Sequence, residues 1–214
     1  NDLNEANTFQ SSTNKETLRK ILYETKAQDL VNLYGDTFET PLLTNDGIVI
    51  PEIGLKEALR SEKYLNKVPT IAGSNKDEIK LWLGFSRYFI ETKQSFLSNG
   101  IGIPIVEIKD EEKYQFYNEI RSKGWQLRGV QEPLENMFIA GNEDLYAYRY
   151  DWDNLRDFFV GDFSKIIGSA HALEIPMISG DFSLAEEFAW IIYPRSPSRR
   201  FVSRNMMNLS LIHI

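Results

Sequence analysis

VPTIAGSNKDE, residues 68–78, decides the fold. VPTIA (68–72) is a short apolar run with turn residues behind it, the pattern of a buried strand. GSNKDE (73–78) leaves that strand and ends on two carboxylates, Asp77 and Glu78. The next strand-like run is LYAYRY (145–150), rich in aromatic residues. Helical patterns fill the interval. A long aromatic-rich stretch runs over 79–96, interrupted near Gly84. An amphipathic helix is predicted over 109–122 on Tyr114, Tyr117 and Ile120, and another within 129–140, ended by Gly141 and Asn142. A last helix is predicted over 195–207, begun through Ser196-Pro197 with proline near its first turn. Strand, helices, strand, helix is the order of an α/β architecture with a mainly parallel sheet.

Toward the amino end the signals weaken. Residues 1–12 are polar and are expected to be loose. Thr13-Asn14-Lys15-Glu16 is a capping-box pattern that opens a helix, with Leu18, Ile21 and Leu22 on its apolar face. Leu30, Val31 and Leu33 continue into a second short helix, broken by Tyr34-Gly35-Asp36. Leu42-Leu43 and Ile48-Val49-Ile50, around Asp46-Gly47, read as a small hairpin. Residues 56–60 form a short helix, 99–104 a loop, and 151–164 a polar and aromatic connection. No internal repeat is visible.

Composition narrows the function classes. The chain has 214 residues, 42% hydrophobic and 26% charged, which is enough apolar material for a core. Its net charge of -7 offers no clustered basic face for a phosphate backbone, so no nucleic-acid partner is expected. The basic residues of 195–204 read as a solvated helix face. With no cysteine there is no disulfide, thiolate metal site or cysteine nucleophile. No apolar run reaches the roughly 18 residues of a membrane span.

The chemistry centres on GSAHALEIPMISG (168–180), which holds His171. Histidine is the side chain that exchanges a proton near neutral pH. Gly168, Ser169, Ala170 and Ala172 around it suit a loop that brings an imidazole close to another group. Glu78 follows the first strand and His171 the later one. In open α/β sheets, sites gather outside the carboxyl ends of the strands. A carboxylate on one imidazole nitrogen fixes the tautomer and stabilises the imidazolium. Acid before histidine is the chain order of the α/β-hydrolases. Two blander readings stand beside this one: His171 as a loop histidine without a task, and Glu78 as a carboxylate facing a helix dipole. Trp82, Phe85 and Tyr88 read as core, with an acyl-pocket wall as the alternative.

Four segments resemble the type-B carboxylesterases, the cholinesterase-like branch of the α/β-hydrolases. DGIVIPE (46–52) is similar to the family's segment ahead of the acid, and VPTIAGSNKDE (68–78) to the one ending in the catalytic acid. YAYRYDWD (146–153) is similar to the strand before the histidine loop, and GSAHALEIPMISGDF (168–182) to the catalytic-histidine segment. The resemblance implies Glu78 as triad acid, His171 as triad base and Glu174 as a supporting carboxylate. It implies a small-molecule ester substrate and neither a metal nor an organic cofactor. The departure is equally plain. The family's G-x-S-x-G elbow is absent, so this chain supplies no nucleophile. The nearest approach, Gly84-Phe85-Ser86-Arg87-Tyr88, lacks the last glycine and follows the acid.

Residues 1–208 are therefore expected to be the carboxy-terminal portion of a carboxylesterase type-B domain, with an incomplete α/β-hydrolase fold. The missing amino-terminal half of the same domain would be its partner, and without it a sheet edge would lie open to self-association. Residues 209–214, LSLIHI, are expected to be a non-native tail. The codons CTG-TCT-CTT-ATA-CAC-ATC spell it and resemble a transposon end used in library preparation, which would leave His213 without a function. A genuine apolar terminus is the other reading. The other class of function is a cholinesterase-like binding or adhesion module that has lost its nucleophile. The ester, its acyl length, the oligomeric state and the compartment are not legible.

Overall fold

The computed structural model describes residues 3–34, 45, 47–95, 100, 104–183 and 188–211. The chain divides into two compact units, Asn1–Ile50 and Pro51–Ile214.

The first unit carries three helices, α1 (Leu3–Ser12), α2 (Lys15–Glu24) and α3 (Ala27–Tyr34). α1 replaces the loose segment expected there. α2 begins where the capping box predicts, but Asn14 caps it. The Asn14 side chain accepts the Thr17 N–H at 2.9 Å, satisfying one of the orphan donors of the first turn. α2 buries none of its residues, and Leu22 and Tyr23 are largely exposed. Of the expected hairpin, 42–44 and Asp46 lie outside the described residues. Residues 47–50 form a bend in which the Gly47 N–H donates to the Ile50 carbonyl.

The second unit mixes helices and strands around a small parallel sheet. In chain order it holds α4 (Leu55–Leu59), β1 (Thr70–Asn75), α5 (Lys80–Leu83), β2 (Ile90–Lys93), β3 (Ile105–Ile108) and α6 (Glu111–Gln126). A π-helical segment, Leu127–Gln131, joins α6 to α7 (Glu132–Ile139). Then come β4 (Leu145–Tyr150), α8 (Phe163–Ile166), α9 (Ile175–Ser179), α10 (Ala189–Ile192) and α11 (Pro197–Leu211). β1 and β4 pair in parallel, with Thr70 opposite Leu145 and Asn75 opposite Tyr150. Their carboxyl ends are thus level, and the Lys76 N–H extends the ladder to the Tyr150 carbonyl at 2.9 Å. The Tyr148 ring crosses β1 at Gly73, where a Cβ would sit 2.1 Å from Tyr148 Cε1.

The expected strand over 68–72 is displaced. β1 starts after Pro69, which has no N–H for a ladder, and runs on through Gly73 and Ser74, residues that read as a turn. Of the helical stretch expected over 79–96, the interruption near Gly84 is found and the part beyond it is corrected. α5 ends at Gly84, and β2 pairs antiparallel with β3 instead. Phe89 and Ile90 are buried against Tyr114 and Ile166, so tertiary packing selects the strand that β-branched and aromatic residues favour. Part of the expected 99–104 loop lies outside the described residues.

α6 buries Tyr114, Asn118 and Ser122, four residues apart, while Tyr117 and Ile120 of the expected apolar face stay exposed. The turn widens after α6 because Pro133 has no N–H for the Gly129 carbonyl. The Glu132 N–H reaches back to the Leu127 carbonyl, five residues away. A second cluster, Tyr150, Met177 and Tyr193, packs under Val202 and Met206 of α11. Among the described residues no helix is long and apolar enough to cross a membrane.

Candidate active site

Glu78 sits in the turn that leaves β1. Its Oε1 accepts the Asn75 N–H at 2.7 Å, folding the carboxylate back over the strand end. Its Oε2 lies 2.8 Å from His171 Nδ1. The carboxylate is 4% exposed, whereas the histidine side chain is 38% exposed. A carboxylate can only accept, so Nδ1 carries the proton and Nε2 is the basic nitrogen. Nε2 has no hydrogen bond to any described residue. The pair is also joined through the backbone, the His171 N–H donating to the Glu78 carbonyl at 3.2 Å.

Two further residues lace the acid turn to the histidine loop. Asn75 Nδ2 donates to the Ala170 carbonyl at 2.7 Å and to Glu174 Oε2. Asp77, 3% exposed, accepts Asn118 Nδ2 at 2.6 Å through Oδ1, and the Ser169 N–H and hydroxyl at 3.3 Å through Oδ2. Lys80 Nζ lies 3.3 Å from Asp77 and is equally buried. Burial pushes the Lys80 pKa down, against the pull of Asp77. Gly168 has φ +54, and a Cβ there would sit 2.4 Å from Asp77 Oδ2. Two physical reasons thus require glycine at that position. Ala172 follows the histidine with φ +69, a strained conformation for a residue with a Cβ.

Indole rings flank the imidazole. Trp82 and Trp125 each have a centroid 5.2 Å from that of His171, and lie 5.8 Å from each other. Trp82 is 48% exposed and Phe85 84%, so the expectation that Trp82, Phe85 and Tyr88 are core is corrected. Trp82 reaches the histidine because α5 starts two residues after Glu78.

Glu78, His171 and Glu174 are therefore brought together at the carboxyl ends of β1 and β4. Asn75, Asp77, Asn118, Ser169 and Trp125 are members that the residue pattern did not single out. Asp77 had a signal, its place beside Glu78 at the end of a strand. Trp125 and Asn118 had none, since only the packing of α6 delivers them. Ser86 stands in the turn after α5, where its carbonyl accepts the Phe89 and Ile90 N–H groups, and it pairs with neither Glu78 nor His171. His213 lies outside the described residues. No protein-family model matches the chain, and no curated protein matches it.

Proposed function

We propose that Glu78 and His171 are the acid and base of a serine-esterase triad whose nucleophile lies outside this chain. The reading rests on one observation: a buried carboxylate holds Nδ1 at 2.8 Å beside the ends of two parallel strands and leaves Nε2 without a partner among the described residues. The resemblance of the acid and histidine segments to type-B carboxylesterases supports it. The same reading takes residues 1–208 as the later part of an α/β-hydrolase domain and 209–214 as foreign to it.

The resemblance implies the chemistry, and the acid–histidine pair is compatible with it. A serine hydroxyl attacks the ester carbonyl while Nε2 takes its proton. The imidazolium is stabilised by Glu78 on its other nitrogen, then protonates the leaving alcohol. Water, activated by the same nitrogen, hydrolyses the acyl-enzyme. Glu174 holds Asn75, and Asn75 holds the loop at Ala170, so the base keeps its position through both half-reactions.

The test is to determine the coding sequence on both sides of this segment and to express the joined protein. An in-frame G-x-S-x-G elbow, labelling by a fluorophosphonate, and nitrophenyl-ester hydrolysis that falls at least ~10³-fold in His171→Ala are expected. An elbow without serine sinks the esterase reading and leaves the binding module. The 214-residue chain alone is expected to hydrolyse nitrophenyl acetate no faster than its own His171→Ala variant.

A further inference from the structure

Away from the acid–histidine pair, the second unit gathers positive charge that no described residue neutralises in an ion pair. Arg156, Arg195 and Arg199 line one cavity of about 540 Å³ with Phe182, Trp190 and Tyr193. Among the described residues none of the three forms an ion pair, and the arginine that does is Arg149, with Asp151. That is unexpected in a chain with 31 acidic residues and a net charge of -7.

The arginines are held rather than merely nearby. The Arg199 guanidinium lies 4.3 Å from the centre of the Phe182 ring, and its Nη1 donates to the Tyr193 carbonyl at 2.7 Å. The Arg199 backbone N–H is fixed by the Ser196 hydroxyl at the start of α11. Its Nε is buried with no acceptor among the described residues. A buried donor without a partner calls for an explanation. Arg156 is fixed by its backbone N–H on the Ile191 carbonyl at 2.9 Å, and its guanidinium lies 5.7 Å from the Trp190 ring centre. Burial, with the charges of Arg195 and Arg200, holds Arg199 below its ordinary pKa. The expectation of a purely solvated basic face over 195–204 therefore fails at Arg199, which is drawn inward. Assembling like charges opposes folding. An arriving anion reverses that term and supplies acceptors for guanidinium donors, whose planar forks match carboxylate and phosphate oxygens.

We propose that this cavity binds a small oxyanion, a phosphate or carboxylate, carrying a flat apolar group that packs on Trp190 and Phe182. The site is independent of the esterase reading and uses none of its residues.

The test is calorimetric titration of the 214-residue chain with phenyl phosphate, benzoate and inorganic phosphate, with the indole N–H signals followed by NMR. Saturable one-to-one binding is expected, tighter for phenyl phosphate than for inorganic phosphate, with movement of the Trp190 signal. Comparing phenyl phosphate with benzoate tells which oxyanion is preferred. The Arg156→Gln/Arg195→Gln double variant changes two exposed side chains and is expected to fold normally. It should weaken binding at least about tenfold, the scale of a lost charge-assisted hydrogen bond. Arg199→Lys keeps the charge, loses the fork and should also weaken it, whereas Arg128→Gln, on the π segment, should not. Absence of saturable binding, equal weakening by Arg128→Gln, or movement of Trp82 and Trp125 instead of Trp190 each overturns the proposal.

Discussion

The acid–histidine cluster and the arginine cavity both gather charged side chains, and they are completed in opposite ways. Around Glu78 every charge meets a partner within the fold. Asp77 meets Lys80, Asn118 and Ser169, Glu78 meets Asn75 and His171, and Glu174 meets Asn75. Around Arg199, two of three cations meet aromatic faces, Arg199 also meets a carbonyl, and none meets a carboxylate among the described residues. Burying polar groups is tolerable when their hydrogen bonds are made. The first cluster can therefore stand at low solvent exposure and hold its shape unaided. The second keeps Arg156 and Arg195 at the surface, as unneutralised charges require.

The contrast breaks most visibly at Asp77. Asp77→Ala leaves the Lys80 ammonium buried without its counter-charge, and is expected to cost about 3–5 kcal/mol in urea unfolding. Adding Lys80→Met should recover most of that loss. If it does not, the Asp77–Lys80 pair is not what holds the turn. Gly168→Ala should cost about 1–3 kcal/mol through its left-handed backbone, more if the contact with Asp77 cannot relax. It should also weaken the NMR signature of the His171–Glu78 hydrogen bond.

Alkaline pH tests the apolar frame around each region. Burial raises the pKa of Tyr114, whose hydroxyl donates to the Ile166 carbonyl, and of Tyr150 and Tyr193. Their folded values lie above the unfolded one, so their contribution is intact below about pH 10. It is lost as pH rises toward the folded values, because the unfolded state sheds protons first. Each tyrosine adds up to about 1.4 kcal/mol per pH unit in that window. Lys80, shifted down, acts the other way below its ordinary pKa, but it is one group against three. Denaturant midpoints at pH 8, 10 and 11 should fall across the last step, and Tyr193→Phe should flatten the fall. The smallest effect is expected at the unneutralised end. Arg199→Met removes the orphaned Nε together with the bond from Nη1 to the Tyr193 carbonyl, and should change stability by less than about 1 kcal/mol because the two oppose each other. A larger loss would mean that the Tyr193 bond and the packing on Phe182 outweigh the orphaned Nε.

Legibility followed the range of the forces. LYAYRY coincides with β4, and the last helix starts at Pro197 as expected, because aromatic strand propensity and a proline at a first turn act locally. Glu78 and His171 were legible as a pair because each follows a strand. In the helical stretch expected over 79–96 the interruption near Gly84 is found, but the part beyond it pairs as β2, because the local pattern does not contain β3, the strand that β2 needs. On the buried face of α6, Tyr114 is where the sequence expects it, but the rest of that face is polar, and only the acid turn opposite makes Asn118 and Ser122 good core residues.

By itself, then, the sequence determined the alternation of strands and helices, the small residues around His171, and the glycine that lets a loop pass close to Asp77. These rest on backbone conformations and side-chain sizes that belong to each residue. The tertiary structure alone decided the parallel register that levels Asn75 with Tyr150, the indoles beside the imidazole, the buried Asp77–Lys80 pair and the gathering of Arg156 with Arg199. Each of those joins residues far apart in the chain, and only packing brings them within reach of a hydrogen bond or a charge.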